Sequence, residues 1–148
     1  MADVLIASDS PSVVADVESA IGGRDTSIRV VGAGIDVLPA VLDRLPDLVV
    51  LDQQIGNMGA MACSLHLRLE ESADRLEHIP ILVLLDRRAD VFLAKRSGAD
   101  GWIMKPLDPI RMRKAALVVL AGDEYHDDTG MPPLTVGPQP VSAADPVG

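Results

Sequence analysis

Apolar residues in the first 121 positions fall into two alternating kinds of run. Short, mostly β-branched blocks recur at 4–7 (VLIA), 28–31 (IRVV), 48–51 (LVVL), 79–85 (IPILVLL) and 101–104 (GWIM), each with the length and composition of a buried strand. Between them the apolar residues lie three and four apart, the spacing of a helix face. Val13, Val14, Val17 and Ile21 make one stripe, closed by Gly22-Gly23, and Val37, Val41 and Leu45 make a second, with Pro39 near its start. A third runs through Met58, Met61, Ala62, Leu65 and Leu69. Leu65, Leu67 and Leu69 also alternate as in a strand, and the segment's length and neighbours decide for helix. A fourth helix is expected over 87–97, ending at Gly98. A fifth follows Asp108-Pro109, a cap with a first-turn proline, and carries Ile110, Ala115, Leu117, Val118 and Leu120. Five strand–helix units predict an α/β fold, an open, doubly wound, five-stranded parallel sheet with helices on both faces. Strands this continuously apolar suit a sheet buried on both sides.

The pattern stops at Gly122. Residues 122–148, GDEYHDDTGMPPLTVGPQPVSAADPVG, are rich in Pro, Gly and acid and have no period, so the reading is a folded unit over 1–121 and a disordered tail over 122–148. Although 48% of the chain is hydrophobic, Phe92, Trp102 and Tyr125 are its only aromatic residues, which makes the core aliphatic. No apolar run approaches the roughly 20 residues of a membrane span. The first residues lack the basic start and cleavage site of a signal peptide. The single cysteine, Cys63, has no partner for an internal disulfide, and His66, His78 and His126 lack metal-ligand spacing. Together these indicate a cytoplasmic setting without membrane insertion.

Charge is unevenly distributed. Residues 1–84 carry thirteen acids and five bases, residues 85–121 four acids and eight bases, and residues 122–148 five acids and no base, for a net −9. An acidic chain is a poor candidate for direct DNA binding, whereas a basic stretch on it suggests an acidic partner surface, its own tail or a complementary dimer.

In an open α/β sheet ligands gather at the carboxyl ends of the strands. Those ends are Ser8-Asp9, Asp52, Leu85-Asp86 and Lys105-Pro106. Two carboxylates and a lysine there could hold a hard divalent cation and counter an anion. Asp9 alone is ambiguous, because Ser10-Pro11 beside it is a helix start and an acid favours that end. Asp52 is harder to assign to capping, since it ends LVVL and a loop, QQIGNMGAM, separates it from the next helix.

Over residues 3–121 this pattern resembles the receiver domain of two-component response regulators. VLIASDSP resembles that family's first strand with its acidic pair, and PDLVVLDQQIGNMGAM the strand and loop around the phospho-accepting aspartate. IPILVLLDRR, SGADGWIMKP and LDPIRMRKAALVVL resemble strand four, strand five with its lysine, and the last helix. The resemblance implies the CheY-like, flavodoxin-like (βα)5 fold with strand order 2-1-3-4-5 and a cis Lys105-Pro106 peptide bond. It further implies Asp52 as phosphoacceptor, Lys105 as the phosphate-contacting cation, and Mg²⁺ on Asp9, Asp52 and the Gln54 carbonyl. The face built from Arg87, Arg88, Lys95 and Arg96 in helix four, and Arg111, Arg113 and Lys114 in helix five, corresponds to the family's output and dimerisation surface.

Several positions depart from the pattern. Ser8 replaces one acid of the pair, so Mg²⁺ binding should be weak; Gly56 stands for the usual proline, and Gly59-Ala60 for Asp/Asn-Gly. Leu85 stands where the family places a hydroxyl that bonds the phosphoryl group and draws in the aromatic residue of strand five, here Trp102. The expectation is a stand-alone, atypical receiver, not an enzyme, that signals by protein–protein contact with phosphorylation-driven switching impaired. Its partners would be a histidine kinase or a downstream target, or a second copy through helix 4, strand 5 and helix 5. One alternative is a functional single-domain phosphoacceptor in a phosphorelay. Another is a small flavodoxin-like nucleotide-binding protein, weakened by the lack of a G-x-G-x-x-G or P-loop around Gly32-Ala33-Gly34.

Overall fold

A computed structural model describes residues 2–127. In chain order the elements are β1 (Ala2–Ala7), α1 (Pro11–Ile21), β2 (Thr26–Val31), α2 (Val37–Asp43), β3 (Leu48–Asp52), α3 (Ala60–Ser72), β4 (Ile81–Leu85), α4 (Val91–Arg96), β5 (Gly101–Met104), α5 (Pro109–Leu120) and β6 (Tyr125–His126). Single 3-10 turns, Gly34–Asp36 and Arg88–Asp90, precede α2 and α4. All the strands pair in parallel, in the order β2-β1-β3-β4-β5-β6.

Alternation along the strands divides the core into two layers. Leu5, Ala7, Val49, Leu51, Ile81, Val83, Leu85, Trp102 and Met104 pack against Val37 and Val41 of α2, Cys63 and Leu67 of α3 and Ala94 of α4. Val4, Ile6, Leu48, Val50, Leu82, Leu84 and Ile103 pack against Val17 of α1 and Met112, Ala115 and Val119 of α5. Every residue of β3 and β4 is buried, as a sheet covered on both faces requires.

The predicted helix starts are present. Ser10 accepts from the Val13 N–H with Pro11 opening α1, and Asp108 accepts from the Arg111 N–H at 3.2 Å with Pro109 opening α5. The contested third segment is a helix, but it begins at Ala60. Met58 lies in the preceding loop with φ +80°, so it is not part of the helical stripe. Leu45 likewise falls beyond the end of α2. The fourth helix is shorter than 87–97, because Arg87 is extended and Arg88–Asp90 form a 3-10 turn ahead of α4. At the amino-terminal end of the sheet Arg68 ties α3 to β4 and β5. Its guanidinium donates to the Gly98 and Ile79 carbonyls, each at 2.8 Å, and to Glu71 and Asp100.

Two expectations need correction. The sheet has six strands among the described residues, not five, with β6 added outside β5. The segment from 122, expected to be disordered, is ordered as far as Asp127, which is 3% exposed. The run is acidic and without period, yet main-chain pairing to β5 supplies partners that composition does not reveal. The rest of that expectation, 128–148, lies outside the described residues.

Candidate functional site

The strand ends that the sequence singled out converge at the carboxyl edge of the sheet. Asp52, the last residue of β3, is completely buried. Its Oδ1 accepts from Lys105 Nζ at 2.5 Å and from the Gln54 N–H at 3.1 Å, and its Oδ2 accepts from the Ser8 hydroxyl at 2.7 Å. Lys105 follows β5 directly, beside the cis Lys105-Pro106 bond that the resemblance implied. Its ammonium also lies 3.1 Å from Asp86 Oδ1, so a single cation serves two carboxylates.

Asp9 sits at the rim. It is exposed, and its Oδ2 accepts from the Gly56 N–H at 3.4 Å, which links the end of β1 to the loop after β3. That loop is held from below by Gly34, whose N–H donates to the Gly56 carbonyl at 2.9 Å. A Cβ on Gly34 would stand 1.6 Å from the Met58 carbonyl oxygen, so only glycine fits there.

Gln53 was missed in the sequence, where it reads as one polar loop residue among several. Its amide oxygen accepts from the Asp86 N–H at 2.7 Å and its Nε2 donates to Asp90 Oδ2 at 2.5 Å, joining the end of β3 to the segment before α4. The Arg87 guanidinium, then the Gln53 amide, hold the Asp90 carboxyl below the usual carboxylate range. In sequence Ser8 stands only as a missing acid, whereas in the structure its hydroxyl caps Asp52.

The donor set can be tested against Mg²⁺. No group of three or more acidic, histidine or cysteine side chains able to hold a metal occurs among the described residues. Mg²⁺ is commonly held by one or two carboxylates with water completing its shell. Asp9 and Asp52 bring two carboxylates to this edge of the sheet, and the Ser8 hydroxyl already occupies one oxygen of Asp52.

Leu85 is fully buried in the same apolar layer as Trp102, Met104 and Ala60, and brings no donor to Asp52. Trp102 is 5% exposed, and its ring lies parallel to His126 of β6 with centroids 4.3 Å apart. The basic residues do not form one free face. Arg87 pairs with Asp90, Arg96 lies over Phe92, and Arg88 and Arg111 reach Asp127. Arg113 points elsewhere, lining a cleft with Ala2, Ile21 and Asp25 near α1. Lys95 and Lys114 are exposed on α4 and α5. Cys63 is buried in α3, donates to the Gly34 and Met58 carbonyls, and has its thiol pKa pushed up to about 11 by burial.

No family model matches the chain. It is 32% identical over 108 residues to the DNA-binding response regulator MtrA of Mycolicibacterium smegmatis, covering 72% of this chain and 45% of that protein. It is 31% identical over 110 residues to the regulatory protein LuxO of Vibrio cholerae, covering 71% of this chain and 22% of that one. The chain thus spans less than half the length of either relative. Among solved structures, the fold matches a two-component response regulator of the LuxR family from Aurantimonas (TM-score 0.73, 22% identity, 84% of this chain and 89% of that one). It also matches the chemotaxis response regulator CheY4 of Vibrio cholerae (TM-score 0.71, 23% identity, 80% and 98%).

Proposed function

We propose that this chain, a receiver domain of the two-component response-regulator type, acts in signalling by protein–protein contact and that its output surface is set by packing, with phosphorylation of Asp52 having little leverage on it. The observation that carries this reading is the burial of Leu85 in the layer that holds Trp102. A phosphoryl group shifts a two-state equilibrium only by its differential interaction with the two states. A hydroxyl at position 85 would supply part of that difference through a hydrogen bond to a charged group, worth roughly 1.5–3 kcal/mol. Leucine supplies none of it. Its side chain also gains about 2 kcal/mol from staying buried where it is.

The Asp52–Lys105 pair favours a second reading, a working phosphoacceptor. The Asp52 carboxylate oxygen attacks the phosphorus of a phosphohistidine or of acetyl phosphate. A P–O bond forms as the bond to imidazole or acetate breaks, and the leaving group keeps its electron pair. Lys105 and the Gln54 N–H face the carboxylate and would offset the added charge. Mg²⁺, held by Asp9, Asp52 and the Gln54 carbonyl, would supply further neutralisation of phosphoryl charge. In the packing-set reading, the full burial of Asp52 and its Ser8 cap slow this transfer.

Incubation with acetyl phosphate and Mg²⁺ followed by intact-mass measurement tests whether Asp52 accepts. Amide spectra with beryllofluoride and Mg²⁺ test whether acceptance matters. The packing-set reading expects shifts confined to the surroundings of Asp52. Large shifts across residues 86–121 would establish the switching reading in its place.

A further inference from the structure

The strand outside β5 is the feature that neither the strand-end chemistry nor the packing of Leu85 requires. After α5 the chain turns at Gly122, with φ +93°, and runs back along the open edge of β5. The Tyr125 N–H donates to the Asp100 carbonyl at 3.1 Å, and Tyr125 and His126 register with Gly101 and Trp102. His126 covers the Trp102 ring. Asp127 is the anchor: its Oδ2 accepts from the Met104 N–H at 2.7 Å and lies 3.7 Å from Arg111 Nη1, while its carbonyl accepts from Arg88 Nη1 at 2.8 Å. Gly101 is needed for this approach. A Cβ there would meet the Tyr125 carbonyl oxygen at 2.8 Å and Val119 Cγ2 at 3.1 Å.

An exposed strand edge that offers unpaired N–H groups, an aromatic face and two guanidinium groups is a receptor for an extended acidic segment. Here the chain's own residues fill it. The contacts are specific in kind: main-chain pairing positions the segment, a flat ring stacks on Trp102, and a carboxylate two residues beyond Tyr125 closes the Met104 N–H between Arg88 and Arg111. We infer that the β5 edge, with Trp102, Met104, Arg88 and Arg111, is a docking site for a short extended acidic peptide with an Asp anchor, and that residues 124–127 occupy it in cis as a displaceable strap. A partner bearing such a segment binds by exchanging with the strap. Phosphorylation of Asp52 is not required for the exchange.

A tethered segment faces its site at an effective concentration on the order of a millimolar. A free peptide of ~0.1 mM affinity therefore binds the strapped protein about tenfold more weakly than the open one. The test uses the full chain and a fluorescein-labelled peptide of residues 121–128, AGDEYHDD. In Asp127→Ala, amide exchange at Met104 should rise at least tenfold, Trp102 emission should move to the red, and the peptide should bind at least tenfold more tightly than to the unaltered chain. His126→Ala, whose side chain is 45% exposed and so carries little risk to folding, should show the same changes at smaller amplitude. Adding Arg88→Ala and Arg111→Ala to Asp127→Ala should abolish peptide binding. Unchanged Met104 exchange in both strap variants would overturn the proposal. So would equal peptide binding to the strapped and released proteins, or no binding to a released protein that remains folded.

Discussion

Replacing Lys105 with methionine should destabilise the domain, and the loss should depend on Asp52. The substitution keeps most of the side-chain volume but removes the ammonium 2.5 Å from Asp52 Oδ1 and 3.1 Å from Asp86 Oδ1. Asp52 has no solvent exposure, so its charge would then be met only by the Gln54 N–H and the Ser8 hydroxyl. Breaking a fully buried pair in this way costs about 3–5 kcal/mol. The Lys105 side chain is 18% exposed, and water at that end screens part of the interaction, so about 2–3 kcal/mol is expected. Asp52→Asn should cost less, about 1 kcal/mol, because Lys105 keeps Asp86 as a partner and the amide can still accept from it. If the two charges depend on one another, the double variant should lose little more than the worse single one, leaving a coupling energy of about 1 kcal/mol, close to the whole loss of Asp52→Asn. Urea unfolding of the four proteins at pH 7 measures this through midpoints at constant slope. A coupling energy below ~0.5 kcal/mol, or a Lys105→Met protein as stable as the parent, would refute the view that the site is an electrostatically closed unit.

Other outcomes follow from single contacts. Arg68→Ala should lower stability by about 3 kcal/mol in the same urea assay, since it strips partners from Asp100, Glu71 and the Gly98 and Ile79 carbonyls together. Cys63 should resist a thiol-exchange reagent at pH 8 until the chain is unfolded. Its raised pKa also stabilises the fold below the ordinary thiol value of 9.0, and that contribution should fade between pH 9 and about 11; rapid labelling of the folded protein would contradict both statements. Asp90 is held below its usual pKa of 3.8, so the unfolded chain takes up this proton first as pH falls. The urea midpoint should therefore drop below about pH 4, with Asp90→Asn showing a shallower drop. Ser8→Asp should tighten Mg²⁺ binding several-fold by calorimetry, by adding a carboxylate and removing the hydroxyl that caps Asp52; unchanged binding would place the metal elsewhere.

What the sequence revealed and what it concealed divide along one physical line. Periodicity reads out contacts that a whole segment repeats, so the continuous burial of Val4 to Ala7 in β1, the unbroken burial of β3 and β4 and the capped starts of α1 and α5 were all visible. Strand ends were legible for the same reason, because a charged residue terminating an apolar run has few places to go, and Asp52 and Lys105 do meet. Single side chains bridging elements far apart in the chain leave no such trace. Gln53 reaching Asp86 and Asp90, and the Ser8 hydroxyl turned onto Asp52, each depend on a register between strands that no local pattern encodes.

The strap is the sharper case, because its composition argued for the opposite outcome. Asp123, Glu124 and Asp127 belong to an acidic, Pro- and Gly-rich stretch, and average hydropathy weighs each residue as though it faced water alone. Yet order in an edge strand is decided by main-chain hydrogen bonds and by a few side chains that close them, quantities to which composition is blind. Two local signals did exist. Gly101 interrupts neither strand nor helix and has no turn to make, which marks a close backbone approach, and the excess of arginine over 87–111 sits beside a wholly acidic segment in the same chain. Neither is decisive by itself, since a glycine opening a strand and a basic surface both have commoner explanations. Joined, they locate Asp127, the buried acid of that stretch among the described residues, where its carboxylate meets the Met104 N–H and Arg111 and its carbonyl meets Arg88. A charge that looks solvated in sequence can thus be the residue that decides where a segment stops and what it covers.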